Sequence, residues 1–454
     1  MNYKIILPDD VKFIIETIEN AGFEAYAVGG CVRDALLGRE PADWDITTSA
    51  KPHEVKALFR RTIDTGIQHG TVTIMIKENG YEVTTYRIDG EYEDSRHPKN
   101  VEFTPVLRED LARRDFTINA MAYNERDGLV DEFGGIEDLS KGIIRAVGFA
   151  ESRFEEDALR IFRAFRFAAV LNFDIEEETV KAAKKLAHTL ERISAERINI
   201  ELTKLILSDN PDYIMKLYEN GITAVVLPEF DRCVETIQNN PHHCYNVGEH
   251  TAQAMKALKR KDVENADDFR ILRIALLLHD FGKPDSKSTD AKGIDHFYGH
   301  DLKGSEIAVK ILRRLKYDNN TIDKVKRLVR WHDDRPNPDE KIVRRMINRV
   351  GEEIYPLLLI LHRADIAAQS DYKRAEKLEA EDRLMEVYRA IINRGDCISL
   401  KMLSVNGGDL IAAGMKPGKE LGEMLNKLLD RVLEDPSCNR KEILMEEVKN
   451  IASL

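Results

Sequence analysis

Gly29-Gly30-Cys31-Val32-Arg33-Asp34, followed by Asp43-Trp44-Asp45, is the stretch around which the chain is organised. Upstream, Phe23 to Val28 is rich in aromatic and branched residues and is bounded by glycine, which predicts a short strand. Val32 to Leu37 predicts a helix that Gly38 ends. A strand passing through two glycines into a helix presents bare N–H groups where the helix dipole favours an anion, so Gly30 is a candidate phosphate contact. Arg33, one turn in, offers a planar fork to the same oxygens. Asp43 and Asp45 fall in a second strand-like run, where residues i and i+2 share a face with Cα atoms roughly 6–7 Å apart. Two carboxylates so placed can converge on Mg²⁺ ions about 3.5–4 Å apart, one for the attacking oxygen and one for the leaving oxygen. Asp-x-Asp by itself is usually a pair of solvated loop charges. Shortly after a Gly-Gly turn, it points to nucleotidyl transfer with Asp43 and Asp45 as the catalytic pair.

Gly-Gly-x-Val-Arg-Asp with a downstream Asp-x-Asp resembles the head of the class II tRNA nucleotidyltransferases, the CCA-adding enzymes and bacterial poly(A) polymerases. The resemblance extends over most of the chain. Trp44 departs from the smaller residue often found between the aspartates, and on a strand it faces away from them.

Composition sets the frame. The 454 residues favour several domains over one, and 43% hydrophobic with 33% charged residues describe a globular chain with material for real cores. The apolar run Pro356 to Leu361 is too short to span a bilayer, and Met1-Asn2-Tyr3-Lys4 lacks a signal pattern. Five scattered cysteines form no metal-type pairs and no disulfide framework. A cytoplasmic protein with no membrane or DNA partner is expected. The net charge of −12 argues against nucleic acid, but local basic clusters at Lys310–Lys316, Lys324–Arg330 and Lys341–Arg349 leave room for moderate, salt-sensitive RNA binding.

The rest of the head, residues 1–145, reads as a small mixed sheet. Asn79-Gly80 between alternating apolar runs predicts a hairpin turn. Arg87 to Phe103 is polar and aperiodic and resembles the flexible loop of enzymes that add all three nucleotides. Arg113-Arg114-Asp115 supplies donors for phosphate or ribose and an acceptor for a 2′-OH. The resemblance assigns Arg114 to the nucleotide. Gly134-Gly135 suits a hinge.

In the neck, residues 146–238, the run Glu156 to Phe167 reads as one helix with Glu156, Asp157, Arg160 and Arg163 on a common face at about 100° per residue. A salt-bridged amphipathic helix accounts for this pattern. A sharper reading is available: a carboxylate beside a guanidinium matches the amine-plus-acceptor edge shared by cytosine and adenine, and mismatches uracil and guanine. Sites that leave buried polar groups unpaired discriminate by factors of around 10⁴. The resemblance makes Asp157 and Arg160 a protein template and adds Arg163 and Arg166 as nucleotide contacts; Arg166 lies in the apolar arc, so its role rests on the resemblance alone. Ser194 is expected to cap a bracing helix.

Eight of the twelve histidines lie between residues 242 and 362. The order His250, His279-Asp280, His300, His332, Asp365 resembles an HD-type phosphohydrolase domain, spanning 239–370. Imidazole with carboxylate suits Mn, Fe, Zn or Ni. His250, His279, Asp280 and Asp365 are expected on one divalent metal, His300 and His332 on a second, with Lys283 near a phosphate. The tail, 371–454, resembles the family's RNA-binding segment, with backbone N–H groups near Gly407, Gly408 and Gly418 offered to tRNA phosphates.

The expected fold is α+β, a small mixed-sheet nucleotidyltransferase head followed by all-α neck, HD and tail domains. The expected reaction is Mg²⁺-dependent addition of CCA to tRNA from CTP and ATP. The alternatives are a poly(A) polymerase, a partial enzyme adding only CC or only A, a phosphohydrolase of signalling nucleotides acting through His279 and Asp280, and a non-catalytic RNA-binding protein.

Overall fold

A computed structural model describes residues 3–89 and 101–452. The chain forms two compact units, Met1–Pro228 and Glu229–Leu454. The α+β reading holds: the sheet is confined to the head, and helices make up nearly all the rest.

The head is built on β1 (Ala25–Val28), β2 (Ile46–Thr48), β3 (Thr62–Gly66), β4 (Thr71–Ile76) and β5 (Asn79–Thr85). A short pair, β6 (Arg87–Asp89) and β7 (Val101–Phe103), precedes β8 (Met121–Asn124) and β9 (Gly128–Asp131). The main sheet runs β3-β4-β5-β2-β1-β8-β9, with β2 and β5 parallel and every other neighbour antiparallel. β1 is buried along its whole length, which is why its sequence is apolar throughout instead of alternating. The helix Asp9–Asn20 covers the sheet with Val11, Ile14, Ile15 and Ile18, the i, i+3, i+4, i+7 set of one helical face.

Three local expectations need correction. Asp43 and Asp45 precede β2 instead of lying in it, although Val28 N–H donates to Asp45 O at 2.9 Å and carries the pairing one residue beyond the strand. The hairpin turn is Lys77-Glu78, since Ile76 pairs with Asn79, and Lys77 takes the positive φ of 54°. Gly80 is needed for packing, because a Cβ there would lie 3.0 Å from Thr73 Cγ2. Gly135 is likewise a close approach more than a hinge, with Thr117 O 2.4 Å from where its Cβ would be. Of the expected loop Arg87–Phe103, residues 90–100 lie outside the described residues.

The neck contributes the helices Ala150–Glu156, Leu159–Leu171, Glu177–Leu186 and Ala195–Ile206 to the first unit. Ser194 stands at the N-cap of the last without a side-chain cap bond. In the second unit, Val247–Ala257, Ala266–Leu278, His300–Arg314, Asn319–Trp331 and Tyr355–Ala368 carry the histidine-rich segment. Glu340–Val350, Arg374–Arg394, Lys419–Glu434 and Lys441–Ala452 pack beyond it. Gly408 N–H is already taken by Asn406 Oδ1 at 2.8 Å in a capping box, which removes it from the expected phosphate contacts. Among the described residues no helix is long and apolar enough to cross a membrane.

Candidate active site and a candidate metal centre

The chain turns sharply at Gly29 (φ 83°) before the helix Gly30–Leu36. This turn lets Arg114 come close: a Cβ on Gly29 would sit 2.9 Å from Arg114 Nη1. Asp45 lies within the electrostatic reach of this guanidinium and of Asp43. Its carboxyl is pushed above the usual carboxylate range by desolvation, against the pull of Arg114 and with added repulsion from Asp43. The structure adds a third carboxylate that the sequence reading missed. Parallel register sets Ile46 opposite Val83, which puts Glu82 of β5 beside Asp45. The Glu82 carboxyl is raised by desolvation and then by Asp45 and Asp43. Three neighbouring carboxylates that face solvent are a donor set suited to a hard cation such as Mg²⁺.

Arg33 is buried and already held. Its Nε and Nη2 donate to Asp34 at 2.9 Å each, and its Nη1 donates to Asn119 Oδ1 at 2.6 Å. Asn119 Nδ2 donates to Asp115 Oδ1 at 3.1 Å, and Arg163 Nη2 to Asp115 Oδ2 at 2.6 Å. The chain of bonds therefore runs from the Gly-Gly turn to the neck helix. Asp115, read from sequence as a ribose acceptor, spends its oxygens on these partners. Three guanidinium groups surround the buried Phe167 ring: Arg33 at 5.1 Å, Arg163 at 5.2 Å and Arg166 at 3.4 Å from its centroid. Arg166 also donates to the buried Glu201 at 2.8 Å, so its place in the apolar arc is explained by a buried acid on the next helix. A ring with a negative face holds cations in place without neutralising them. Each of the three guanidinium groups also has an acidic partner: Asp34 for Arg33, Asp115 for Arg163 and Glu201 for Arg166.

The reading of Glu156 to Phe167 as one helix fails. Asp157 is extended (φ −140°, ψ 102°) between two helices, and its Oδ1 accepts from Leu159 N–H at 3.0 Å. Aspartate competes with helix continuation in this way, by bonding a backbone N–H two residues on. Arg160 N–H still donates to Asp157 O at 2.9 Å, but the break gives the two side chains different partners. Asp157 bonds Arg197 Nη2 at 2.7 Å, while Arg160 bonds Glu156 at 2.6 Å and the carbonyls of Arg113 and Arg153 at 2.8 and 3.2 Å. Arg197, read only as part of a bracing helix, is the residue that fixes the Asp157 carboxylate.

In the second unit the six histidine and aspartate residues singled out from sequence are all buried and converge. His250, His279 and Asp280 form one cluster with ligand-type atoms mutually within 4.8 Å, and Asp280, His300 and His332 form another. Asp280 is thus shared. Asp365 Oδ1 lies 2.8 Å from His250 Nε2 and 3.8 Å from His279 Nε2. The tautomers are set from behind. Nδ1 of His279, His300 and His332 donates to the carbonyls of Leu276, Phe297 and Val329 at 2.7, 2.8 and 2.7 Å. Each Nε2 then carries a lone pair aimed inward, the arrangement of metal-ligating imidazoles. His300 and His332 bring two such lone pairs within 3.1 Å of each other. His279 Nε2 is buried 3.3 Å from Asp280 Oδ2 without the geometry of a hydrogen bond. Acceptors facing acceptors call for a cation between them. Lys283, expected near phosphate, is instead bound to Asp280 at 2.7 Å and to Gln238 at 2.8 Å. Asp280, His300, His332 and Asp365 line a cleft of about 570 Å³.

Three family models match parts of the chain. Residues 25–145 match the model of the poly A polymerase head domain, 172–234 that of the "Probable RNA and SrmB- binding site of polymerase A", and 300–448 that of tRNA nucleotidyltransferase domain 2. The chain is 36% identical over 453 residues to the CCA-adding enzyme of Ligilactobacillus salivarius, covering 98% of both chains. It is 36% identical over 444 residues to that of Limosilactobacillus reuteri, covering 96% of this chain and 95% of the relative. The crystal structure of the Bacillus stearothermophilus CCA-adding enzyme in complex with CTP superposes with a TM-score of 0.72 at 29% identity, over 99% of this chain and 100% of that one. The Thermotoga maritima CCA-adding enzyme complexed with tRNA shares the fold, with a TM-score of 0.61 at 22% identity over 99% of this chain and 97% of that one. Sequence, sheet topology and helical framework together show that the chain belongs to the family of CCA-adding enzymes.

Proposed function

We propose that this protein completes the 3′ end of tRNA by adding C, C and A from CTP and ATP. The observation that carries the reading is the grouping of the Asp43, Asp45 and Glu82 carboxylates, with Arg114, which closely approaches the Gly29 turn, drawing on Asp45. Divalent ions bound by the carboxylates would activate the attacking hydroxyl and shield the triphosphate, the service such ions give in phosphoryl and nucleotidyl transfer. The chain's own residues supply position. Gly30 N–H and Arg33 orient the triphosphate, Arg114 stands between it and Asp45, and Arg163 and Arg166 add positive charge around Phe167. Asp157 accepts from the exocyclic amine of cytosine or adenine while Arg160 donates to the adjacent ring nitrogen. Because Arg197 and Glu156 hold these two groups separately, base choice rests on two independently braced side chains. The resemblance of head, neck and tail supports tRNA as the acceptor, and a cytoplasmic setting accords with that substrate.

The test uses tRNA ending at the discriminator base, with Mg²⁺ and CTP, ATP, UTP or GTP singly and mixed. Growth by three nucleotides with CTP plus ATP, and none with UTP or GTP, is the expected result. A long A tail would establish a poly(A) polymerase, and a stop after CC a partial enzyme.

A second activity has its own observation in its favour. Four buried imidazoles with inward-facing Nε2 atoms around Asp280 fit a dinuclear centre for Mn, Fe, Ni or Zn, and HD-type centres of this composition serve phosphohydrolysis. Metal content of the purified protein, and release of phosphate from simple esters by the metal-loaded form, test it. A protein that takes up no metal in the second unit would rule it out.

A further inference from the structure

Asp110, in the helix Leu107–Ala112, is fully buried beneath the Arg113–Arg114 pair. It divides its carboxylate unequally between the two arginines. Oδ1 accepts from Arg113 Nε at 2.9 Å and from Arg113 Nη2 at 2.7 Å. Oδ2 accepts from Thr47 Oγ1 at 3.1 Å and only distantly, at 3.5 Å, from Arg114 Nη2. Arg114 Nε is buried without a hydrogen-bond partner among the described residues. Burial opposes ionisation of Asp110, but the two guanidinium groups, with the bonds from Arg113 and Thr47, outweigh it and hold the carboxyl below its usual range. The carboxylate thus clamps Arg113 and leaves Arg114 with donors for a ligand. Two adjacent arginines that look equivalent in the sequence have different work in the fold.

What the clamp fixes is the Arg113 peptide, and that peptide meets the neck. The Arg113 carbonyl accepts from Arg160 Nη2 at 2.8 Å. The other partners of Arg160 are Glu156 at 2.6 Å and the Arg153 carbonyl at 3.2 Å, four and seven residues back along its own segment. Among these partners only the Arg113 carbonyl belongs to the head. Asp110 is tied in turn to Thr47 of β2, two residues beyond Asp45. A continuous path therefore runs from the strand that follows the Asp43–Asp45 pair, through Asp110 and Arg113, to Arg160. We propose that Asp110 and Arg113 are positioning residues for nucleotide choice, holding the carbonyl that aims the Arg160 guanidinium at the base. The proposal rests on the reading of Arg160 as a base reader and names what sets its place relative to the head. Hydrogen bonds weaken steeply as donor and acceptor leave line, so a loosened Arg160 loses discrimination between base edges.

The experiment measures U incorporated relative to C, on tRNA lacking its terminal CCA, by the full-length wild type and five variants. These are Arg113→Gln, Arg113→Lys, Asp110→Asn, Arg160→Ala and the Arg113→Gln/Arg160→Ala double variant. Arg113→Gln keeps the carbonyl and removes the clamp. The expected result is a rise in the ratio of about tenfold in Arg113→Gln and Asp110→Asn, with partial recovery in Arg113→Lys, which keeps the charge without the fork. The double variant should be no worse than Arg160→Ala alone, because Arg113 acts through Arg160. Movement of Arg114 onto the vacated Asp110 oxygen would raise KM for all four nucleotides alike, since they share phosphate and ribose, so the ratio still reads Arg160. A ratio that rises in Arg160→Ala but not in Arg113→Gln overturns the proposal and leaves base reading by Arg160 standing. Independent, multiplying effects in the double variant overturn it as well. An unchanged ratio in Arg160→Ala overturns base reading by Arg160 and the proposal with it. A folded Asp110→Asn with wild-type choice removes Asp110 from the path; should that variant not fold, Arg113→Gln, which cuts the same pair from its half-buried end, decides on the same terms.

Discussion

Asp115 and Arg163 join the head to the neck through a single carboxylate oxygen: Arg163 Nε and Nη2 both donate to Asp115 Oδ2, at 2.8 and 2.6 Å. The other oxygen accepts from Phe116 N–H at 2.9 Å and from the Asn119 amide at 3.1 Å. Asn119 in turn holds Arg33, so the carboxylate couples the Gly-Gly turn of the head to the neck helix. A pair this well satisfied costs most when only one member is removed.

Asp115→Ala is expected to destabilise the first unit by about 3–5 kcal/mol, the range for stranding one member of a buried ion pair. The measurement is urea-induced unfolding. The pH dependence has a definite sign. Burial opposes ionisation of Asp115, but Arg163 and the Asn119 amide outweigh it and hold the carboxyl below its usual range. An acid with a depressed folded pKa stabilises the fold above its ordinary value of about 3.9, and that contribution fades as pH falls toward the folded value. The stability gap between the wild type and Asp115→Asn should therefore be level from neutral pH to about 4 and close only below it.

Gly29→Ala tests the close approach of Arg114. The positive φ and the 2.9 Å contact both oppose a side chain there, but the atom that must yield is the end of a flexible arginine. The expected stability cost is about 1–3 kcal/mol, because φ 83° with ψ −128° is a backbone conformation that glycine alone adopts readily. Nucleotidyl transfer by the protein that remains folded is expected to fall about tenfold or more, because Arg114 is displaced. Thermal unfolding and initial rates with CTP separate the two effects.

Arg197→Ala leaves Asp157 without the guanidinium that fixes it. We expect a higher KM for CTP and ATP and about tenfold more UTP incorporation relative to CTP, since an untethered carboxylate can turn away from a mismatched edge. Partial rescue by Arg197→Lys would accompany this result, because an ammonium restores charge but not the fork.

What was legible in the sequence divides by range. The Gly-Gly turn and the Asp43–Asp45 pair depend on neighbours a few residues away, and composition shows them. The histidine-rich segment was legible through its resemblance to an HD-type domain, and the structure brings His250, His279, Asp280, His300 and His332 together. Glu82 was not, since only the parallel register of β2 and β5 brings it to Asp45, and register is set by the sheet as a whole. Arg197 stayed hidden for a similar reason: it meets Asp157 from a separate helix. The helical wheel over Glu156 to Phe167 misled because it assumes unbroken geometry. Asp157 breaks it by turning its side chain back onto Leu159 N–H.

His279→Ala should uncouple the two units' chemistry. Removing one inward imidazole from the His250–His279–Asp280 cluster is expected to lower the bound metal of the second unit and abolish phosphate release from simple esters. CCA addition, which uses the first unit's carboxylates, should keep its rate. Metal analysis by mass spectrometry alongside both assays reads all three quantities.

The most direct measurement compares nucleotide choice by the wild type and the Asp157→Ala/Arg160→Ala double variant on tRNA lacking its terminal CCA. The quantity is the ratio of C and A to U and G incorporated, which is internal to each reaction and so unaffected by the fraction of folded enzyme. A fall in that ratio of about 10²-fold or more is expected if these two side chains read the base. An unchanged ratio, with C added before A as in the wild type, would contradict the account.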